Sequence, residues 1–208
     1  MSLRRIRPGG AAAAAALTAA LSLALLGWAS SQSGSAPGDG TGQVTHAGFG
    51  WFHPGPAPGA WRQASLTGQS ATLSYPGSLH PMHGDDGTVT VGSTAKSGKV
   101  LMYLNVTPKQ GEESLGDWTD SRLEHLREDG QYQVHLDGAS PALQFRGGPG
   151  RCVIDNYTTK IRGNHYDEIA CIVQGAQATS VLVAATSTTA WQANHALLEK
   201  VVSSYQAG

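Results

Sequence analysis

The sequence predicts an α+β fold in which an antiparallel β-sheet is covered by helices on both faces, an α/β/α sandwich. Three observations predict it. Two runs, residues 100–106 and 180–186, are apolar on both faces, which implies strands covered from two sides. Two segments, 114–129 and 188–205, carry apolar residues at helical spacing and can supply the cover. The other runs after Trp61 alternate with period two between short turn signals, the pattern of antiparallel hairpins rather than of parallel crossovers.

The first thirty residues read as an export signal. Arg4, Arg5 and Arg7 precede an uncharged run that begins at Ala11, and Trp28, Ala29, Ser30 and Ser31 supply a small-residue cleavage region. Cleavage is the expected reading. The alternative is an N-terminal membrane anchor, because the apolar stretch 11–28 approaches the roughly 20 residues that span a bilayer. Half of residues 31–60 are Gly, Pro or Ser, a composition that reads as a flexible linker. The aromatics Phe49, Trp51 and Phe52 interrupt it and are expected to lie against the domain, because aromatic rings bury much surface at little entropic cost. The organisation is thus a signal peptide or anchor at 1–30, a linker at 31–60 and a single domain at 61–208, secreted or held in the cell envelope.

Charge excludes some partners. Only 14% of residues are charged and the net charge is −1; past residue 30, 11 basic residues face 15 acidic ones, a net of −4. A mildly acidic surface with no basic stripe argues against nucleic acid. It also argues against anionic lipid, which leaves membrane contact to the N-terminal segment if that is retained.

The domain opens with strands at 62–66 and 71–75 around Thr67-Gly68-Gln69, then at 88–92 and 99–107 around Lys96-Ser97-Gly98. A helix follows, with Ser114 as N-cap, Asp117 in the first turn and Gly130 as the C′ residue. Its stripe is Leu115, Trp118, Arg122 (through its aliphatic stem) and Leu126. Strands resume at 132–137, 142–146, 152–161, 165–174 and 179–186, with residues 147–150 read as a turn. A second helix, capped by Ser187, Thr188 and Thr189, has the stripe Trp191, Asn194, Leu198, Val201 or Val202, and Tyr205.

Cys152 and Cys171 are the only cysteines. In an exported chain they predict one disulfide, and folding the chain at Arg162-Gly163-Asn164 brings them nearly opposite each other. No C-x-x-C spacing suggests redox activity. The densest cluster of candidate ligands is His80, His83, Asp85 and Asp86, with Met82 among them. Two imidazoles and two carboxylates in one loop can hold Zn²⁺, or Cu²⁺ with the thioether. The expected reading is nonetheless a solvated turn, since His-x-x-His lacks the i, i+4 spacing that makes helical metal motifs specific; a divalent metal is the alternative, and no other cofactor is expected. No nucleophile elbow and no phosphate-binding glycine loop is present.

The order of elements resembles the PsbP-like fold, named for the photosystem II extrinsic subunit, over residues 61–206. The resemblance rests on a hairpin ending in Tyr75-Pro76, a Trp-bearing helix after a long central strand, a meander into 180–186, and a terminal helix from Thr188-Thr-Ala-Trp191 to Val201-Val-Ser-Ser-Tyr205. Among PsbP-like proteins it is most similar to exported actinobacterial proteins of LpqN type, although the lipobox Cys of such relatives is missing. The resemblance implies binding, scaffolding or assembly rather than catalysis. The function expected is therefore a non-catalytic adaptor that binds an envelope or extracellular protein or a small ligand. A metal-binding protein or metal-dependent enzyme using the 80–86 loop is the alternative.

Overall fold

A computed structural model describes residues 46–208. The predicted signal or anchor at 1–30, and residues 31–45 of the predicted linker, lie outside the described residues. Within them no helix is long and apolar enough to cross a membrane.

Eleven strands form two antiparallel sheets. The smaller has β1 (Arg62–Ser65), β2 (Ala71–Tyr75) and β11 (Gln206–Ala207), in the order β1-β2-β11. The larger has β3 (His80–Pro81), β4 (Val89–Thr94), β5 (Val100–Pro108), β6 (Tyr132–Ala139), β8 (Gly148–Thr158), β9 (His165–Gln174) and β10 (Thr179–Ser187), in the order β3-β4-β5-β10-β9-β8-β6. Strand β7 (Leu143–Phe145) pairs beside it with the start of β8. The single sheet expected from sequence is corrected here. The first hairpin leaves the main sheet because Gln206 and Ala207 return to pair with β2, a partnership with no local signal.

The two doubly apolar runs are β5 and β10, side by side at the middle of the sheet. Neighbouring residues of a strand point to opposite faces, and two apolar clusters follow from that. One contains Cys152, Cys171, Val173, Leu182, Ala184 and Leu104, with Leu198, Val201, Val202 and Tyr205 packed among them. The other contains Val153, Ala170, Ile172, Val183 and Ala185, with Trp118. The last two groups belong to helices α2 (Trp191–Ser204) and α1 (Trp118–Glu128) respectively. Asn194 adds a polar tie, donating from Nδ2 to Thr186 Oγ1 at 3.1 Å.

Several local readings shift. Helix α1 starts at Trp118, not after Ser114; Asp117 takes the N-cap position and its carboxylate accepts the Ser114 amide at 2.6 Å. Gly130 does end it, at φ +78. Arg146 and Gly147 make the β7–β8 turn; residues 148–150 already pair with β7. At Gly147, φ is +100 and a Cβ would run into the carbonyl of Ala207, so only glycine lets the C-terminal strand pass. The segment expected to be linker is, from residue 46, packed against the body. A 3-10 turn spans His46–Phe49, Phe49 is buried, Phe52 stacks on Phe145 at 4.7 Å, and the amide of Gly55 donates to the Ser203 carbonyl at 3.0 Å. The linker reading fails there because three aromatics bury enough surface to offset the ordering of a Gly/Pro-rich chain.

The disulfide joins Cys152 to Cys171, directly opposed residues of β8 and β9 with Cα atoms 4.0 Å apart. Both side chains are buried in the α2 cluster. Closing a loop across 19 positions removes denatured-state freedom worth about 3 kcal/mol in the chain-entropy model. The double variant C152A/C171A is expected to unfold in urea with a free energy lower by about 3 kcal/mol; an unchanged midpoint would show that the bridge carries none of the stability.

Candidate functional site

The predicted metal ligands are not drawn together. His80 lies in β3, paired with Gly92, while His83, Asp85 and Asp86 are exposed in the turn that leads to β4. The turn closes on itself: the Thr88 hydroxyl donates to the Asp85 carbonyl at 2.7 Å, and the Met82 amide to the Thr90 carbonyl at 3.0 Å. Among the described residues, no three of His, Cys, Asp and Glu are arranged to hold a metal ion.

The concentrated chemistry lies instead under α1. Antiparallel pairing sets Asp155 of β8 opposite Glu168 of β9, then Ala185 of β10, Tyr103 of β5 and Gly92 of β4. Paired residues share a face, so these side chains form a belt across the sheet on the side of Trp118 and Arg122. Asp155 and Glu168 are 0% exposed. Arg122 descends from α1 and donates to Glu168 Oε1, from Nε at 2.8 Å and from Nη2 at closer range. The sequence reading placed only the aliphatic stem of Arg122 in the core; the guanidinium is buried too. One turn earlier on α1, the Trp118 indole donates to the Ala170 carbonyl at 3.0 Å. The helix is therefore pinned by two directed bonds as well as by packing.

The cluster holds one more carboxyl than it has cations. Both oxygens of Asp155 and Glu168 Oε2 lack a hydrogen-bond partner. Burial, and then the neighbouring Glu168 carboxylate, push the Asp155 pKa up to about 9, against the pull of Arg122. Asp155 is thus neutral at physiological pH. Burial also raises the phenols of Tyr157 and Tyr103. Asp155, Glu168, Val153 and Ala170 are all closed off from solvent, so the cluster is built to hold a helix and a proton.

The second feature is accessible. At one end of the main sheet a cleft of about 360 Å³ opens between three segments. The β4–β5 turn contributes Gly98, Lys99 and Val100. The β8–β9 turn contributes Lys160, Ile161, Arg162 and Asn164, and the end of α1 contributes Asp129 and Gln131. Tyr166 forms part of the lining, its hydroxyl donating to the Val100 carbonyl at 3.0 Å. Ile161, 76% exposed, lines the cleft, and the exposed Tyr132 reaches the adjoining β8–β9 turn with its hydroxyl beside Gly163. The β8–β9 turn is held by the Thr159 hydroxyl, which accepts from the Asn164 amide at 3.0 Å and donates to the Ile161 carbonyl at 2.9 Å. Two of the three non-glycine residues with positive φ lie at this end, Arg162 (φ +74) and Gln133 (φ +52).

Sequence reasoning missed both features. A signal for the first existed. Asp155 follows Val153 by two, and Glu168 precedes Ala170 by two, so each carboxyl occupies an inward position of an otherwise apolar strand face. Arg122 stands on the apolar stripe of a helix and needs such a partner. The cleft had no comparable signal, since its parts come from three segments far apart in the chain.

No family model matches the chain, and no curated protein matches it in sequence. Solved structures do. The cyanobacterial PsbP (CyanoP) of Synechocystis sp. PCC 6803 superposes with a TM-score of 0.52 at 15% identity, covering 74% of this chain and 98% of that one. A Pseudomonas aeruginosa protein described as a putative regulator gives 0.43 at 10% identity, covering 70% and 95%. LpqN of Mycobacterium tuberculosis, described as involved in cell envelope biogenesis, gives 0.36 at 12% identity, covering 73% and 80%. The chain has the PsbP-like fold.

The proton on Asp155 ties stability to pH. Its folded pKa, about 9, lies above the ordinary 3.8, so the folded state retains a proton that the unfolded chain releases. Stability is therefore greatest below the ordinary value and declines as pH rises between the two, by up to about 1.4 kcal/mol per unit. D155N, which keeps the shape and the neutral charge, is expected to flatten that decline in urea titrations from pH 5 to pH 9 and to be the more stable protein at the alkaline end. E168Q is expected to be destabilised by about 3–5 kcal/mol, because Arg122 then lies buried without a counter-charge. A wild-type stability that rises across this pH range would contradict the assignment.

Proposed function

We propose that this is a non-catalytic adaptor of the cell envelope or extracellular space, which binds a partner at the cleft end of its main sheet. The observation that carries the reading is the convergence there of Ile161 and the neighbouring Tyr132 with Lys99, Lys160 and Arg162. Exposed apolar side chains scattered singly need no explanation, but a group of them rimmed by charge marks an interaction surface. Non-glycine residues held at positive φ cost of order 1–3 kcal/mol each and cluster where function uses them; Arg162 and Gln133 fit that pattern.

The rest of the chemistry supports binding over catalysis. Both cysteines are in the disulfide. Thr158 meets His165 Nδ1 at 2.9 Å, but its hydroxyl is buried and donates to Gln133, so it lacks the access a nucleophile needs. Extracytoplasmic placement is supported by the arginine-led apolar segment at the N-terminus and by the disulfide. We read the architecture as the α/β/α sandwich expected from sequence, α1 and α2 on opposite faces, supplemented by the small sheet on the α2 side; the two apolar clusters support this.

A photoreactive residue introduced at Ile161 or Tyr132 in the cell of origin is expected to yield a discrete cross-linked adduct, whereas one at Gln192, on the exposed side of α2, is not. Fractionation should place that adduct outside the cytoplasm. Equal labelling from all three positions, or none from any, would sink the proposal.

A further inference from the structure

Three features compete for a further reading: the buried carboxyl pair under α1, the exposed loop at 82–86, and the cations of the cleft. The first is sealed and the second gathers no ligand set, whereas the third points outward toward a partner of definite chemistry. We infer that the cleft recognises an acidic segment of a partner protein, one that carries apolar side chains between its carboxylates. This rests on the binding role proposed above and names what is bound.

The charge distribution carries the inference. Past residue 30 the chain is acidic by four charges, yet the cleft is lined by Lys99, Lys160 and Arg162 against one acid, Asp129. Asp129 stands 3.4 Å from His125 Nε2, an exposed contact. None of the three cations forms an ion pair among the described residues, where the charged contacts are Arg122–Glu168 and His125–Asp129. The cations are held by structure. Arg162 stands at φ +74 within a turn whose backbone is bonded at both ends, close enough to Tyr166 for its charge to act on that phenol. The Lys160 side chain lies across Gly130, and its amide donates to Gln131 Oε1 at 3.2 Å. An unpaired cationic cleft in an acidic molecule favours an anionic partner and speeds its approach.

A protein segment fits better than a lipid headgroup. The cleft lies beside the end of α1, which exposes Asp120, Glu124, Glu128 and Asp129. A flat anionic bilayer brought to this end would meet those carboxylates as well as the cations, and like charges would oppose it. A narrow chain that enters between the two turns meets Lys99, Lys160 and Arg162 against Asp129 alone. Ile161, with Tyr132 beside the same turn, then offers apolar contacts next to the charges, the mixture expected of a peptide groove.

The test uses the full-length protein and three fluorescent ten-residue peptides, alternating leucine with glutamate, with glutamine or with lysine. The glutamate peptide is expected to bind about tenfold or more tighter than the lysine peptide, as charge-paired recognition requires. It should weaken as salt rises from about 50 mM to about 500 mM and shift the backbone resonances of Lys99, Ile161 and Tyr166. K99E/R162E is expected to lose that preference. R162G removes the guanidinium while relieving the positive φ, so it should weaken the glutamate peptide without lowering the melting temperature, which separates lost recognition from lost folding. If the glutamine peptide binds this end as tightly as the glutamate one, acidic recognition falls and the binding role stands. If no peptide moves the cleft resonances, both fall. Binding to phosphatidylserine vesicles that exceeds the peptide and vanishes in K99E/R162E would replace the acidic segment by a membrane and overturn the inference.

Discussion

The register between β8 and β9 is the constraint on which the rest of the molecule depends. Cys152 opposes Cys171, and three pairs along the same ladder Asp155 opposes Glu168. Because side chains alternate between faces, the bridge falls on the α2 side and the carboxyl pair on the α1 side. Two pairs further, Tyr157 opposes Tyr166 with rings 6.1 Å apart, and the turn beyond them carries Lys160, Ile161 and Arg162 into the cleft. A slip of one residue in this register would turn one of the two strands over, sending its carboxyl into the apolar cluster around Leu182 and Leu198 and breaking up the group around Arg122. The disulfide makes such a slip covalently impossible.

That same ladder explains why α1 docks as it does. A helix with only Trp118 and Leu126 to bury would find few reasons to prefer one position along the sheet. The guanidinium of Arg122 must reach Glu168, and the Trp118 indole must reach the Ala170 carbonyl; together they set both the height and the rotation of the helix. Buried charge is a poor source of stability but a good source of uniqueness, since every alternative position strands an ion. The surplus carboxyl of Asp155 is tolerated because it holds its proton, so the cluster contains one ion pair and one neutral acid rather than an unbalanced charge. The position of α1 in turn sets the position of Gln131 and Asp129, one wall of the cleft.

Much of the fold was legible because its signals are local. Ten-residue windows reveal the doubly apolar runs of β5 and β10, the helical stripe Trp118–Arg122–Leu126 and the turn glycines, and the two cysteines flank Arg162-Gly163-Asn164. Each is a pattern of residue types at a spacing that backbone geometry dictates. The order of elements was enough to suggest the PsbP-like fold that the superposition on CyanoP shows. The readings that failed were those in which a distant segment overrode a local preference. Gly and Pro at 54–59 suggested a free tether, but Phe49 and Phe52 found Phe145 and its surroundings to pack against. Gly148 and Gly150 suggested a turn, but β7 and β9 recruited them into a strand.

By itself, the sequence determined the segments: which residues form strands and helices, which face of each is apolar, that the two cysteines can meet, and that the chain past its N-terminus is acidic. Only the tertiary structure decided which segments share a surface. It returned residues 206–207 to β2 and split the sheet in two, buried the head of Arg122 as well as its stem, gave the 80–86 segment no metal-holding group of three ligands, and assembled a basic cleft from three distant segments of an acidic molecule. The physical reason is that backbone periodicity acts over a few residues and is written in composition. Charge pairing and cavity formation depend on distances that exist only once the chain has closed on itself.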